Sequence, residues 1–153
     1  MEKMTATFAA GCFWGVQKAF DGVAGVLNTQ VGYTGGHVTN PSYEMVCGHK
    51  TGHAEAIRIE FDPDVISFTD LLDIFWRIHD PSSLNRQGPD IGTQYRSAIF
   101  YHDEDQRMAA EKSKQALVNR LQKGVVTEIV AVGPFYPAEA YHQHYLKKQK
   151  RGI

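Results

Sequence analysis

Cys12 stands in Gly11-Cys12-Phe13-Trp14-Gly15, where a short apolar run gives way to a helical period. A thiol at a helix N-terminus meets unpaired backbone N–H groups and a partial positive charge, and both favour thiolate over thiol. The flanking glycines allow a tight turn and close approach of another molecule. Phe13 and Trp14 are unusual directly after a turn thiol, because turns mostly expose polar groups. They read either as core aromatics around a buried structural cysteine or as an apolar wall beside a nucleophile. A second group is Tyr43-Glu-Met-Val-Cys47-Gly-His49-Lys-Thr-Gly-His53-Ala54-Glu55. Beside an apolar pocket Glu55 would have a raised pKa and suit general-acid work near neutrality; at a solvated strand end it would be an ordinary carboxylate. His49 with His53, and His142 with His144, invite a metal reading. Neither pair comes with further Cys or His ligands at the spacing of a closed zinc site, so no metal is expected.

These groups must be held by regular elements. Thr5 to Ala10 reads as a buried strand, and Phe13, Val16 and Phe20 mark one face of a helix running to Asp21. Val26 to Tyr33 is β-branched and ends at Gly35-Gly36. Glu55 to Phe61 alternates, with Ala56, Arg58 and Glu60 opposite Ile57, Ile59 and Phe61. Ser67 with Asp70 caps a helix whose stripe is Phe68, Leu71, Leu72 and Phe75. A strand over Ala98 to His102 leads to a second cap, Asp103 with Gln106, and to a helix reaching Leu121 before Gly124. Glu128 to Val132 is a strand, and a last helix is predicted over Ala138 to Lys148. The order β-α-β-β-α-β-α-β-α predicts an α+β fold over residues 1–153 as a single domain. It is expected to be a two-layer α/β sandwich, with a ferredoxin-like core of mixed sheet and packed helices. His79 to Arg96 has no period and carries Pro, Gly and Asn. Loops of that length in compact domains are often functional, so it is expected to wall a site.

The 153 residues suit one core, with 42% hydrophobic and 22% charged residues, and the formal net charge of -1 points to no nucleic-acid partner. The run Lys147-Lys148-Gln149-Lys150-Arg151 reads as a solvated helix terminus. The first residues lack the apolar stretch of a signal peptide, and no segment could span a bilayer. The expectation is therefore a cytoplasmic protein, monomeric, whose two cysteines form no disulfide framework.

Taken together, Gly11-Cys-Phe-Trp-Gly15, Tyr33-Thr-Gly-Gly36, Thr51-Gly-His-Ala-Glu55, the loop from His79-Asp-Pro through Leu84-Asn-Arg-Gln to Asp90-Ile-Gly-Thr-Gln-Tyr-Arg96, and Tyr141-His-Gln143 resemble the A-type peptide-methionine sulfoxide reductases. The resemblance covers nearly the whole chain, in the family's order. It implies an oxidoreductase acting on methionine S-sulfoxide, protein-bound and free. By that resemblance Cys12 is the nucleophile, Glu55 the acid, Tyr43 and Tyr95 the oxygen-binding hydroxyls, Phe13 and Trp14 the methyl-binding aromatics, and Asp90 a polar substrate contact. The chemistry is coherent: a polar S–O group bearing a methyl needs an apolar slot beside hydrogen-bond donors. Attack of Cys12 on sulfur leaves a sulfenic acid that a thiol can reduce.

Many relatives carry resolving cysteines in a C-terminal tail, whereas no cysteine follows Cys47 here; Ala140 stands where an acidic residue is common. An external thiol reductant (thioredoxin, glutaredoxin or glutathione) is thus expected in place of a bound cofactor, with a Cys12–Cys47 disulfide as the alternative. Two rival functions are weighed beside this one. One is another cysteine enzyme, a Cys–His hydrolase or a peroxidase, of which the hydrolase needs a histidine to activate Cys12; the other is a non-enzymatic binder of methionine-rich or oxidised proteins, which would not need Cys12 at all.

Overall fold

The computed structural model describes residues 3–151. A six-stranded sheet has the order β7-β6-β1-β3-β2-β8. Its strands are β1 (Met4–Ala10), β2 (Val26–Thr34), β3 (Ala54–Phe61), β6 (Ser97–Tyr101), β7 (Glu128–Ala131) and β8 (Tyr136–Pro137). The helices are α1 (Phe13–Phe20), α2 (Tyr43–Cys47), α3 (Phe68–Arg77), α4 (Glu104–Leu121) and α5 (Tyr145–Arg151). A separate hairpin pairs β4 (Arg86–Gln87) with β5 (Asp90–Ile91). The central four strands β6-β1-β3-β2 are antiparallel, in the pattern of a ferredoxin-like β-α-β-β-α-β core, and β7 runs parallel to β6.

The expected mixed α+β fold is the observed one, and its register follows from side-chain alternation. Ala6, Phe8 and Ala10 of β1 enter the main core with Val31, Tyr33, Ile57, Ile59 and Phe61, against α1 and α3. The opposite face of the central strands carries small residues, Ala9, Ala54, Ala56 and Ala98, covered by Phe100 with Val132 and Phe135. Both helix caps expected from sequence are formed. Ser67 and Asp70 exchange both bonds of a capping box, and Asp103 accepts the Gln106 N–H at 2.8 Å. α4 ends at Gln122, which takes the left-handed conformation (φ 54) two residues before Gly124.

The segment from Tyr43 to Cys47, to which the sequence analysis assigns no element, is a five-residue helix capped by Ser42. The helix expected over Ala138 to Lys148 is instead a 3₁₀ turn over Ala140–His142 followed by α5. The reason is that this segment's polar groups are committed elsewhere. The Gln143 amide bonds both the N–H and the carbonyl of Val31 (2.9 and 2.8 Å) in the manner of a strand neighbour. His144 then turns left-handed (φ 56) and donates its own N–H to Gln17. On α5 Lys147 and Lys148 are exposed, whereas the side chains of Gln149, Lys150 and Arg151 lie outside the described residues.

The long loop is built, not slack. His79 at its start donates from Nδ1 to the Phe75 carbonyl and accepts from Ser97 Oγ at Nε2, both at 2.7 Å. Burial pushes its pKa down to about 4, against the opposing pull of the Phe75 carbonyl and Asp80, so the ring is neutral. Gln87 grips the backbone of Asp80 through both amide atoms (2.9 and 2.8 Å). The hairpin that these contacts hold delivers Asp90 to the cysteine.

Candidate active site

Cys12 occupies the N-cap of α1 and is half-buried. Gly11 before it has φ 96, and a Cβ there would sit 2.9 Å from Gln87 Cγ. Glycine is thus required both by the turn and by the close approach of the hairpin carrying Asp90. The helix terminus acts in the expected direction, since the N–H groups of Trp14 and Gly15 favour the thiolate. Burial outweighs them, and the negative charges of Glu55 and Asp90 add to it, so the thiol is raised above its ordinary pKa. The helix end therefore favours the thiolate as expected without prevailing, and the resting group is a thiol.

Glu55 is the second residue of β3, directly opposite Tyr33 of β2. It is 1% exposed, which rules out a solvated strand-end carboxylate. One oxygen, Oε1, accepts the Phe13 N–H at 3.1 Å, while Oε2 is buried with no hydrogen-bond partner among the described residues. Burial raises its pKa to about 7, with the Phe13 N–H opposing and the Asp90 charge assisting. A buried carboxyl that titrates near neutrality can carry its proton on this second oxygen, which has no acceptor among the described residues. That is the arrangement a general acid needs.

Phe13 is a core residue, its ring 5.7 Å from that of Tyr33 and 5.3 Å from that of His142. Trp14 keeps partial exposure. Its indole stacks on Tyr145 at 3.9 Å, and its Nε1–H donates to His142 Nδ1 at 2.9 Å. Both readings of the aromatic pair therefore hold in part: Phe13 is floor and core, and Trp14 is wall. Tyr43, at the start of α2, lies 4.5 Å ring to ring from His142. Its hydroxyl is raised by burial, by its neighbour Cys47 one turn along, and by the charges of Glu55 and Tyr95. Tyr95 ends a 3₁₀ turn (Thr93–Tyr95) and is pushed up to about 12 by burial and by the fields of Glu55, Cys47, Asp90 and Cys12. The sequence-predicted residues Cys12, Phe13, Trp14, Tyr43, Glu55, Asp90 and Tyr95 thus share one electrostatic neighbourhood. Its two tyrosines are neutral donors at any physiological pH.

The histidines are occupied otherwise. His53 accepts the Gly36 N–H at Nδ1 (3.0 Å) and donates from Nε2 to the Val38 carbonyl (2.7 Å). This lock also explains Gly36, where a Cβ would lie 2.4 Å from His53 N and Thr51 O. His49 contacts Gln94 and His144 contacts Asp21. The sequence reading missed His142, which is 2% exposed, braces Trp14 and stacks near Phe13 and Tyr43. The Tyr141-His-Gln143 block was its signal, obscured by the helix assigned across it. The charges bearing on Cys12 are those of Glu55 and Asp90.

The peptide methionine sulfoxide reductase family model matches residues 4–153. The chain belongs to the peptide methionine sulfoxide reductase family. It is 58% identical over 148 residues to the reductase MsrA of Methanothermobacter thermautotrophicus, covering 95% of this chain and 88% of that one. Reduced Mxr1 from Saccharomyces cerevisiae superposes with a TM-score of 0.93 at 36% identity, over 99% of this chain and 88% of the yeast chain. Mxr1 has also been solved in complex with Trx2; that structure matches with a TM-score of 0.68 at 25% identity, covering 94% of this chain and 85% of the other. The five blocks that carry the resemblance therefore sit in a member of the family, on the family's fold. Among the described residues no helix is long and apolar enough to cross a membrane.

Proposed function

We propose that this reductase acts on the S epimer of methionine sulfoxide, in oxidised proteins and as the free amino acid, with Cys12 as nucleophile and Glu55 as general acid. One observation carries the reading: a buried carboxyl poised near pH 7 keeps one oxygen unpartnered, while its other oxygen holds the backbone of the residue after the thiol. The sulfoxide methyl lies against Trp14 with Phe13 beneath, and Asp90 meets the polar part of the substrate. The sulfoxide oxygen receives hydrogen bonds from Tyr43, Tyr95 and Glu55. Cys12, as thiolate, attacks sulfur while the developing negative charge on oxygen is met by those donors, and Glu55 protonates it. Oxygen passes from the methionine sulfur to the Cys12 sulfur. Methionine, reduced by two electrons, leaves, and the thiol becomes a sulfenic acid. One external thiol condenses with the sulfenic acid, releasing water, and a second thiol regenerates Cys12 as a disulfide departs.

A thiol protein such as a thioredoxin or glutaredoxin, or glutathione, supplies these equivalents. The complex of the homologous Mxr1 with Trx2 supports a protein reductant. Turnover of separated S- and R-sulfoxides with excess dithiothreitol tests the whole reading. Methionine is expected from the S epimer alone; release from the R epimer would overturn the assigned pocket.

Trp14→Ala tests the methyl slot. Removing the indole is expected to raise KM for the S-sulfoxide by about tenfold or more, with a smaller effect on kcat, because apolar contact to a methyl serves ground state and transition state alike. Steady-state kinetics decide it, and an unchanged KM would remove Trp14 from the slot.

A further inference from the structure

Glu139, in the segment before the 3₁₀ turn, joins parts of the site that are far apart in sequence. Its Oε1 accepts the Tyr33 hydroxyl at 3.1 Å, and its Oε2 accepts the Tyr43 backbone N–H at 3.3 Å and the Tyr141 hydroxyl at 3.4 Å. Tyr43 opens α2, and its N–H is one of the donors that a helix start leaves without an internal partner. Ser42 satisfies the Met45 N–H, which leaves that of Tyr43 to Glu139. A five-residue helix has no stability of its own, so its placement rests on the groups holding its ends and on Val46 in the core. Tyr33, fully buried, lies ring to ring with Phe13, whose N–H in turn grips Glu55. Although burial alone would raise the Glu139 carboxyl, the backbone N–H groups of Glu139 itself and Tyr43 and the Tyr33 hydroxyl outweigh it and hold the group below the usual carboxylate range.

We propose that Glu139 is a positioning residue for sulfoxide reduction: its carboxylate fixes the start of α2, and hence the Tyr43 hydroxyl, against the Tyr33–Phe13 platform on which Glu55 is held. The proposal rests on the reading of Tyr43 as an oxygen donor. Such a donor matters most when charge develops on the oxygen, so its displacement lowers kcat and leaves KM nearly unchanged.

The test is a cycle of Glu139→Ala and Glu139→Gln, each alone and combined with Tyr43→Phe, assayed on the S-sulfoxide with excess dithiothreitol. Glu139→Ala is expected to lower kcat by about 10- to 50-fold with KM changed by less than about twofold. Glu139→Gln keeps an acceptor oxygen without the charge and is expected to lose only about fivefold. In the Tyr43→Phe background both losses should shrink below about twofold, because the group being positioned is gone. Losses that multiply in full, or a KM effect with kcat intact, would overturn the proposal. Tyr43→Phe alone turning over like the parent would overturn the reading of Tyr43, and the proposal with it. Should Glu139→Ala lose its folding transition, the Glu139→Gln pair decides by the same comparison.

Discussion

Cys12→Ser is expected to abolish sulfoxide turnover, a loss of at least about 10⁴-fold, without loss of folding stability. Serine keeps the shape but offers neither a thiolate nor a sulfur able to accept oxygen. Stability is expected to hold or rise, because position 12 is an N-cap that lacks a side-chain cap bond, and serine is among the best N-cap residues. Thermal unfolding with the kinetics separates loss of chemistry from loss of fold. Residual turnover at parental rates would move the nucleophile to Cys47, the other cysteine of the sequence. The parent given one equivalent of S-sulfoxide and no reductant should release one methionine and gain about 16 Da on Cys12. A loss of about 2 Da, with Cys12 joined to Cys47, would instead assign the resolving step to Cys47. Cys47 is near enough to feel Glu55 and Tyr43, yet burial raises its own thiol, which makes it a slow attacking group.

How much of this was legible before the structure depended on the range of the interactions. β3 and the α3 cap are written in local pattern: alternation over Ile57, Ile59 and Phe61, and Ser67 three residues before Asp70. The candidate site residues were named by resemblance, and the structure places those candidates in one neighbourhood. The state of Cys12 was not legible, because it is decided by burial against the helix terminus, with two carboxylates from β3 and β5, 43 and 78 positions along the chain, adding to the burial. The segment before α5 was misread because its apolar and polar spacing is also helical. What breaks the helix is the long-range demand of Val31, Trp14 and Gln17 on Gln143, His142 and the His144 N–H. Glu139 had no local signature at all; its partners Tyr33 and Tyr43 are about a hundred residues away.

Glu55→Gln is expected to lower kcat by about 10²- to 10³-fold and to change the shape of the pH profile. In the parent the reacting form of the free enzyme needs Glu55 protonated and Cys12 ionised, although Cys12 has the higher pKa of the two. Below about 7 nearly all Glu55 is protonated and the thiolate fraction grows tenfold per pH unit, so kcat/KM rises with pH. Above about 7 each further gain in thiolate is cancelled by loss of the Glu55 proton, and the profile levels off. It falls only when pH passes the raised Cys12 pKa. The break near 7 therefore reports the carboxyl even though the rate stops rising there, and the plateau spans the interval between the two groups. Glutamine keeps an oxygen for the Phe13 N–H but has no proton to transfer. The variant should lose the break near 7, continue to rise until Cys12 titrates, and then hold level. Its upper inflection should also fall below the parent's, because the carboxylate charge that raised the Cys12 thiol is gone. A Glu55→Gln profile that still turned near 7, at whatever rate, would assign that titration to another group and leave Glu55 without its acid role.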